Sequence, residues 1–252
     1  MDACAAWLAA YPVTMFLLPS VAAAGMALSV WRHVDAVSGD MRRIRYYGAM
    51  ALAAALGFAV LALSVHGEGG LVVFDTALAG HLGVSVSPRL LHALSWFTHL
   101  GDRAFLTGVA IALTVLLLAR RRWLLAVFCV AATGGGGALN WLLKHGFQRV
   151  RPDYAHGYAA PEGWSFPSGH ASAAIAVYGT ACYLLLRIAP ARWRPACVAV
   201  TAALVVAIGV SRILLQVHFA SDVAAGFAAS GAWLALCVAV VEHAMRRDAA
   251  RR

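Results

Sequence analysis

The residues best equipped for chemistry stand in three short stretches between positions 144 and 222. Phe166-Pro167-Ser168-Gly169-His170 sits where a polar loop rich in Pro and Gly runs into the apolar segment 171–188. Pro167 and Ser168 are residues a helix start favours, and the first amides of a helix have no partner within it. Those amides, at the positive end of the helix dipole, make an anion site. A histidine in that first turn can give a proton to a bound anion or take one from it. Upstream, Lys144 precedes Arg151-Pro152 by seven positions. A helix continued between them would set both cations two turns apart on one face, with Pro152 ending it. Downstream come Ser211-Arg212, His218 and Asp222. Each has a plain reading alone: Lys144 and Arg212 as snorkelling cations, Asp222 as a helix cap, His218 and His170 as interfacial polar residues. Together they describe an anion pocket with a nucleophile and an acid.

The elements that must position them are apolar helices. Of 252 residues 62% are hydrophobic and 12% charged, about half the charged fraction of a soluble domain. Runs long enough to cross a bilayer recur along the chain, at 7–30, 46–65, 104–119, 123–143, 171–188, 196–210 and 222–241. The expectation is an all-α polytopic membrane bundle of seven spans. The first run resembles a signal peptide at Ala22-Ala23-Ala24, but no positive residue precedes it and it is long, so it reads as a retained span. Gly134 to Gly137 in the fourth run imply close helix contact or a local kink. The connection 66–103 is semi-apolar without a spanning run and reads as one or two interfacial helices.

Placement of the basic residues sets an orientation. Alternate connections hold Arg32, Arg42, Arg43 and Arg45; Arg120 to Arg122; Arg187, Arg192 and Arg194; and Arg246, Arg247, Arg251 and Arg252, fourteen of the twenty. The positive-inside rule makes that side cytoplasmic, with the N-terminus outside and the C-terminus inside. The net charge of +9 is thereby accounted for by topology rather than nucleic-acid binding. The five cysteines are scattered without metal spacing and read as packing residues.

The spacings resemble the three signatures of the type 2 phosphatidic acid phosphatase and vanadium haloperoxidase superfamily. Lys144 with Arg151-Pro152 is similar to the first, Pro167-Ser168-Gly169-His170 to the second, and Ser211-Arg212 with His218 and Asp222 to the third. The resemblance implies a six-helix phosphatase core at 46–245, preceded by an extra span and loop at 1–45 and followed by a basic tail at 246–252. It implies that Lys144, Arg151 and Arg212, with Ser168 and the Gly169 amide, bind phosphate. His218 would attack phosphorus, Asp222 would hold its other nitrogen, and His170 would protonate the leaving oxygen and then activate water. No metal or cofactor is implied. Asp153, His156 and Glu162 read as solvated loop residues, and His145 either faces the pocket or fills the lipid interface.

The implied substrate is a phosphorylated membrane lipid, met at the periplasmic face of a bacterial inner membrane. Undecaprenyl diphosphate is favoured among phosphatidic acid, phosphatidylglycerophosphate and lipid A phosphates. A soluble vanadate-dependent haloperoxidase is excluded by the seven spans. A non-catalytic anion-binding membrane protein would not need the histidine–carboxylate pair. A lipid phosphotransferase differs only in which acceptor reaches the phosphohistidine, and stays open.

Overall fold

A computed structural model describes residues 1–37, 39–67, 69–153, 156–158 and 163–251. Among them there is no strand, and seven helical segments are long and apolar enough to span a bilayer. Chain order is α1 (Asp2–Ala9), α2 (Pro12–Ala36), α3 (Asp40–His66), α4 (Gly70–Ser85), α5 (Pro88–Phe97), α6 (Arg103–Ala119), α7 (Trp123–Phe147), α8 (Gly169–Ala174), α9 (Thr180–Leu186), α10 (Arg194–Leu214) and α11 (Ala220–Arg251). A π-helical turn at Ile175–Gly179 joins α8 to α9, so the pair forms one span, Gly169–Leu186.

The ends differ from expectation where local chemistry intervenes. The first apolar run is two helices, because Pro12 at the first turn of α2 begins a new one. The connection 66–103 holds two helices, α4 and α5, and a 3₁₀ turn at Thr98–Gly101. α11 carries its basic end, Arg246, Arg247 and Arg251, within one unbroken helix, while Arg252 lies outside the described residues.

α3 packs along α11, and α2 along α10. At one end Phe58, Leu61 and Val65 of α3 meet Ala225 and Phe166, and at the other Tyr47 joins Val238 and Val241, so α3 and α11 run antiparallel. Leu17, Leu18 and Val21 on α2 and Leu52, Leu56 and Val60 on α3 stay exposed, the apolar faces a bilayer would cover. At 25 residues α2 is about 37 Å long, enough for a hydrocarbon core of about 30 Å.

The run Gly134 to Gly137 does not interrupt α7, which is continuous. A Cβ at Gly135 would lie 2.5 Å from the Trp233 ring, and one at Gly136 3.2 Å from Ala176, so these two admit neighbouring helices. Gly134 and Gly137 face open space. Close approach also matters at Gly226, where a Cβ would come within 2.8 Å of the Ser168 carbonyl. Glycine there lets the second turn of α11 pass against the start of α8.

Candidate active site

α10 ends in a turn with Gln216 in the left-handed region, φ 53°, closed by Val217 N–H donating to the Arg212 carbonyl at 3.1 Å. The turn delivers buried His218 just ahead of α11. Asp222, in the first turn of α11, reaches back to accept from the Phe219 N–H at 2.9 Å, as a capping carboxylate does. That contact holds its Oδ2 3.4 Å from His218 Nδ1. Ser165 Oγ donates to the same Oδ2 at 2.5 Å and lies 3.3 Å from Nδ1, bridging the pair. On the other side of the ring, Arg151 Nη1 lies 3.0 Å from Nε2. A guanidinium can only donate, so Nε2 carries a lone pair and the proton sits on Nδ1. Burial pushes His218 down to about 3, against the pull of Asp222 and with help from Arg151 and Arg212. The imidazole is therefore neutral at pH 7 with a nucleophilic nitrogen at Nε2.

The cations converge on this ring by a route other than a continued helix. α7 stops at Phe147, and Gln148 turns left-handed, φ 48°, its N–H donating to the Lys144 carbonyl at 3.1 Å. Lys144 and Arg151 thus do not share a helix face, which corrects the sequence expectation. Arg151 instead lies beyond the helix and donates to the carbonyls of Gly163, Trp164 and Val217 at 2.7–3.1 Å. Lys144 Nζ donates to the Trp164 carbonyl at 2.5 Å, and its Cε would lie 3.8 Å from a Cβ at Gly169. Buried Arg212 donates from Nη1 to Thr98 Oγ1 at 2.9 Å.

Ser168 stands at the N-cap position of α8, but its hydroxyl caps nothing. That buried oxygen has no hydrogen-bond partner among the described residues, a cost of about 1–3 kcal/mol that a ligand oxygen would remove. Asn140 Nδ2 donates to Ser172 Oγ at 2.9 Å and so ties α7 to α8. His170 falls in the first helical turn, as expected. Asp102 stands at the N-cap position of α6, yet its side chain makes no cap hydrogen bond. Its two oxygens meet His170 Nε2 at 2.8 Å and His99 Nδ1 at 2.5 Å.

A second layer was invisible to motif spacing. Arg149 donates to Asp222 Oδ1 at 2.7 Å, to Ser221 Oγ at 2.8 Å and to Asp75 Oδ2 at 3.0 Å, and its guanidinium lies 4.2 Å from the Phe219 ring centroid. Asp75 is buried on α4, where burial pushes its carboxyl up against the bonds from Ser221 and Arg149. A carboxylate inside the apolar run 71–78 is itself the signal that could have found it. His156 is anchored to the Leu215 carbonyl at 2.8 Å rather than solvated, which corrects that expectation. Asp153 is exposed, and Glu162 lies outside the described residues.

Lys144, His145, Arg151, Gly169, His170, Arg212 and His218 line a single cavity of about 1620 Å³. Ser168 and Asp222 sit behind that wall, fully buried. The cavity continues as a groove along α6 and α7, past Ile111 and Val115 on one side and Gly137, Gly134 and Val130 on the other. From Lys144 to Val130 the helical rise makes it about 21 Å long. Among the described residues no three His, Cys, Asp or Glu side chains form a metal-binding group.

Residues 122–246 match the family model described as the PAP2 superfamily. The chain is 29% identical over 172 residues to phosphatidylglycerophosphatase B of Bacillus subtilis, an alignment covering 68% of this chain and 84% of that one. It is 30% identical over 198 residues to a lipid A 1-phosphatase of Rhizobium etli, covering 68% and 78%. Its fold superposes on the crystal structure of a transmembrane PAP2-type phosphatidylglycerolphosphate phosphatase from Bacillus subtilis with a TM-score of 0.68, at 27% identity, covering 79% of this chain and 96% of that one.

Proposed function

Because the chain belongs to the PAP2 superfamily of membrane phosphatases, we propose that it hydrolyses a lipid phosphate through a phosphohistidine on His218. The observation that carries this reading is the state of His218: buried, neutral, backed by Asp222, with Nε2 turned to the guanidinium of Arg151. Arg151 occupies the lone pair that must attack. Phosphate oxygens are stronger acceptors than an imidazole nitrogen, so a bound substrate draws the guanidinium onto itself and frees Nε2.

Catalysis of phosphoryl transfer is mostly positioning and charge stabilisation. Lys144, Arg151 and Arg212 neutralise the phosphate oxygens, with Ser168 and the Gly169 amide completing the cradle. Nε2 attacks phosphorus and the P–O bond to the lipid breaks. Asp222 stabilises the charge that develops on the ring. His170 gives its proton to the leaving oxygen, then accepts one from the water that cleaves the P–N bond.

The groove between α6 and α7 supports an amphiphilic substrate, its phosphate among the cations and its tail along apolar and glycine-lined wall. The names of the relatives favour phosphatidylglycerophosphate and lipid A bearing a 1-phosphate as first substrates to test. Undecaprenyl diphosphate, preferred from the sequence, has only general analogy behind it. The excess of basic residues at the end of the bundle away from the site supports a cytoplasmic C-terminus and a periplasmic active site in a bacterial inner membrane. The test is phosphate release by purified protein in EDTA, across these three lipids and phosphatidic acid, beside His218→Ala. Release from one lipid that the variant abolishes supports the proposal. Release that persists in the variant, or that requires Mg²⁺, contradicts it.

A further inference from the structure

The site contains a second histidine–carboxylate pair that no sequence signature includes. His170 Nε2 lies 2.8 Å from Asp102 Oδ1, and the other oxygen of Asp102 meets His99 Nδ1. Asp102 stands where a helix cap stands, yet its side chain accepts no amide of α6, so its carboxylate is committed to the two histidines. The 3₁₀ turn Thr98–Gly101 that carries it is pressed onto the His170 ring: a Cβ on Gly101 would lie 3.0 Å from His170 Cδ2 and 2.5 Å from Ile208. Thr98, at the start of the same turn, accepts from Arg212. One turn therefore braces both a phosphate-binding cation and the acid.

We propose that Asp102 is the positioning residue of the general acid, accepting from His170 Nε2–H and so assigning the transferable proton to Nδ1. This rests on the phosphohistidine reading above. The two pairs are then mirror assignments. His218 gives Nδ1 to Asp222 and keeps Nε2 for phosphorus; His170 gives Nε2 to Asp102 and keeps Nδ1 for oxygen. In the first step the P–O bond to the lipid breaks, P–Nε2 of His218 forms, and the His170 Nδ1 proton moves to the lipid oxygen. In the second, water oxygen bonds phosphorus, the P–N bond breaks, and the water proton returns to Nδ1. Asp102 keeps its charge throughout, and its Oδ1 remains the acceptor for Nε2–H in both steps.

Two measurements on the full-length protein in detergent decide it. Nitrogen-15 NMR, with the His170 signals assigned by their loss in His170→Gln, reads the tautomer of the neutral ring. The expectation is Nε2–H in the wild type and a mixture in Asp102→Ala; identical spectra overturn the proposal. Turnover is compared on a lipid alkyl phosphate and on 4-nitrophenyl phosphate, whose leaving group needs no proton. General-acid assistance contributes about 10²–10⁴-fold, so Asp102→Asn should lose at least about tenfold more rate on the alkyl ester than on the aryl ester. Equal losses on both mark Asp102 as merely structural. Absence of phosphate release by the wild type would count against the phosphatase reading alone, since the tautomer experiment needs no turnover.

Discussion

Replacing Asp222 by Asn tests the nucleophile pair with a magnitude that follows from its contacts. One carboxylate oxygen faces three donors, Ser165 Oγ, the Phe219 N–H and His218 Nδ1, and the other faces Arg149. An amide supplies one acceptor oxygen and one NH₂ donor. The oxygen does best where the three donors converge, which turns the NH₂ toward the Arg149 guanidinium. One charge-assisted bond worth about 1.5–3 kcal/mol is lost, while Arg149 retains Asp75 and Ser221, so the variant should fold. The tautomer of His218 is kept, but the counter-charge to the ring is gone. A unit charge at about 4 Å, at an effective dielectric near 20, is worth about 4 kcal/mol, or about 10³ in rate. The 3.4 Å contact and the bridging Ser165 soften this, so the expected fall is about 10²–10³ in phosphoenzyme formation with KM changed little. The assay is rapid-quench single turnover with a labelled lipid phosphate. A fall in binding with kcat within threefold of wild type would refute the reasoning and leave Asp222 as a cap.

Other consequences are equally measurable. Because burial holds His218 at about 3, phosphoenzyme formation should show no loss of the nucleophile with a midpoint near 6.5 as pH falls; such a midpoint, traced to His218 by its variants, would contradict the assignment. The same burial means the folded ring binds fewer protons than the unfolded one between about 3 and 6.5, so its contribution to stability is present above that window and lost as pH falls through it. Denaturation in detergent at pH 7 and pH 5 reads this, and His218→Gln should flatten the difference. Gly137→Leu puts a side chain into the open groove, so the ratio of rates on long-tailed to short-tailed lipid phosphates should fall about tenfold, while thermal stability holds or rises by about 1 kcal/mol for removing a helical glycine. An unchanged ratio would take the tail out of that groove. A protease site after Arg251 should be protected in right-side-out vesicles, and cleavage there would reverse the topology.

Much of the architecture was legible because membrane spans announce themselves by length and hydropathy. All seven appear, and the motifs fall at one end of the bundle. What local patterns could not show is how a chain leaves a helix. Nothing in the sequence marks Gln148 as a left-handed stop, so Arg151 was read onto the face of α7 when it crosses instead to Val217 and His218. Nor does spacing reveal partners distant in sequence. Asp75 and Arg149 are 74 positions apart, and Asp102 and His170 68, yet each pair is joined by a hydrogen bond of 3.0 Å or less. Asp102 shows the general difficulty: an acidic residue ahead of an apolar run has a local explanation, and only the fold reveals that its side chain is used elsewhere.

The central claim is a covalent bond between phosphorus and His218 Nε2. The direct measurement mixes the protein with a turned-over lipid phosphate for milliseconds and quenches in alkali, which spares phosphohistidine. The phosphate is then located by peptide mass spectrometry. The account predicts phosphate on His218 and none in His218→Ala; with 4-nitrophenyl phosphate, whose leaving group needs no proton, it accumulates in His170→Gln because only breakdown is slowed. Phosphate released at the wild-type rate with no labelled histidine, or label on another residue, would contradict it.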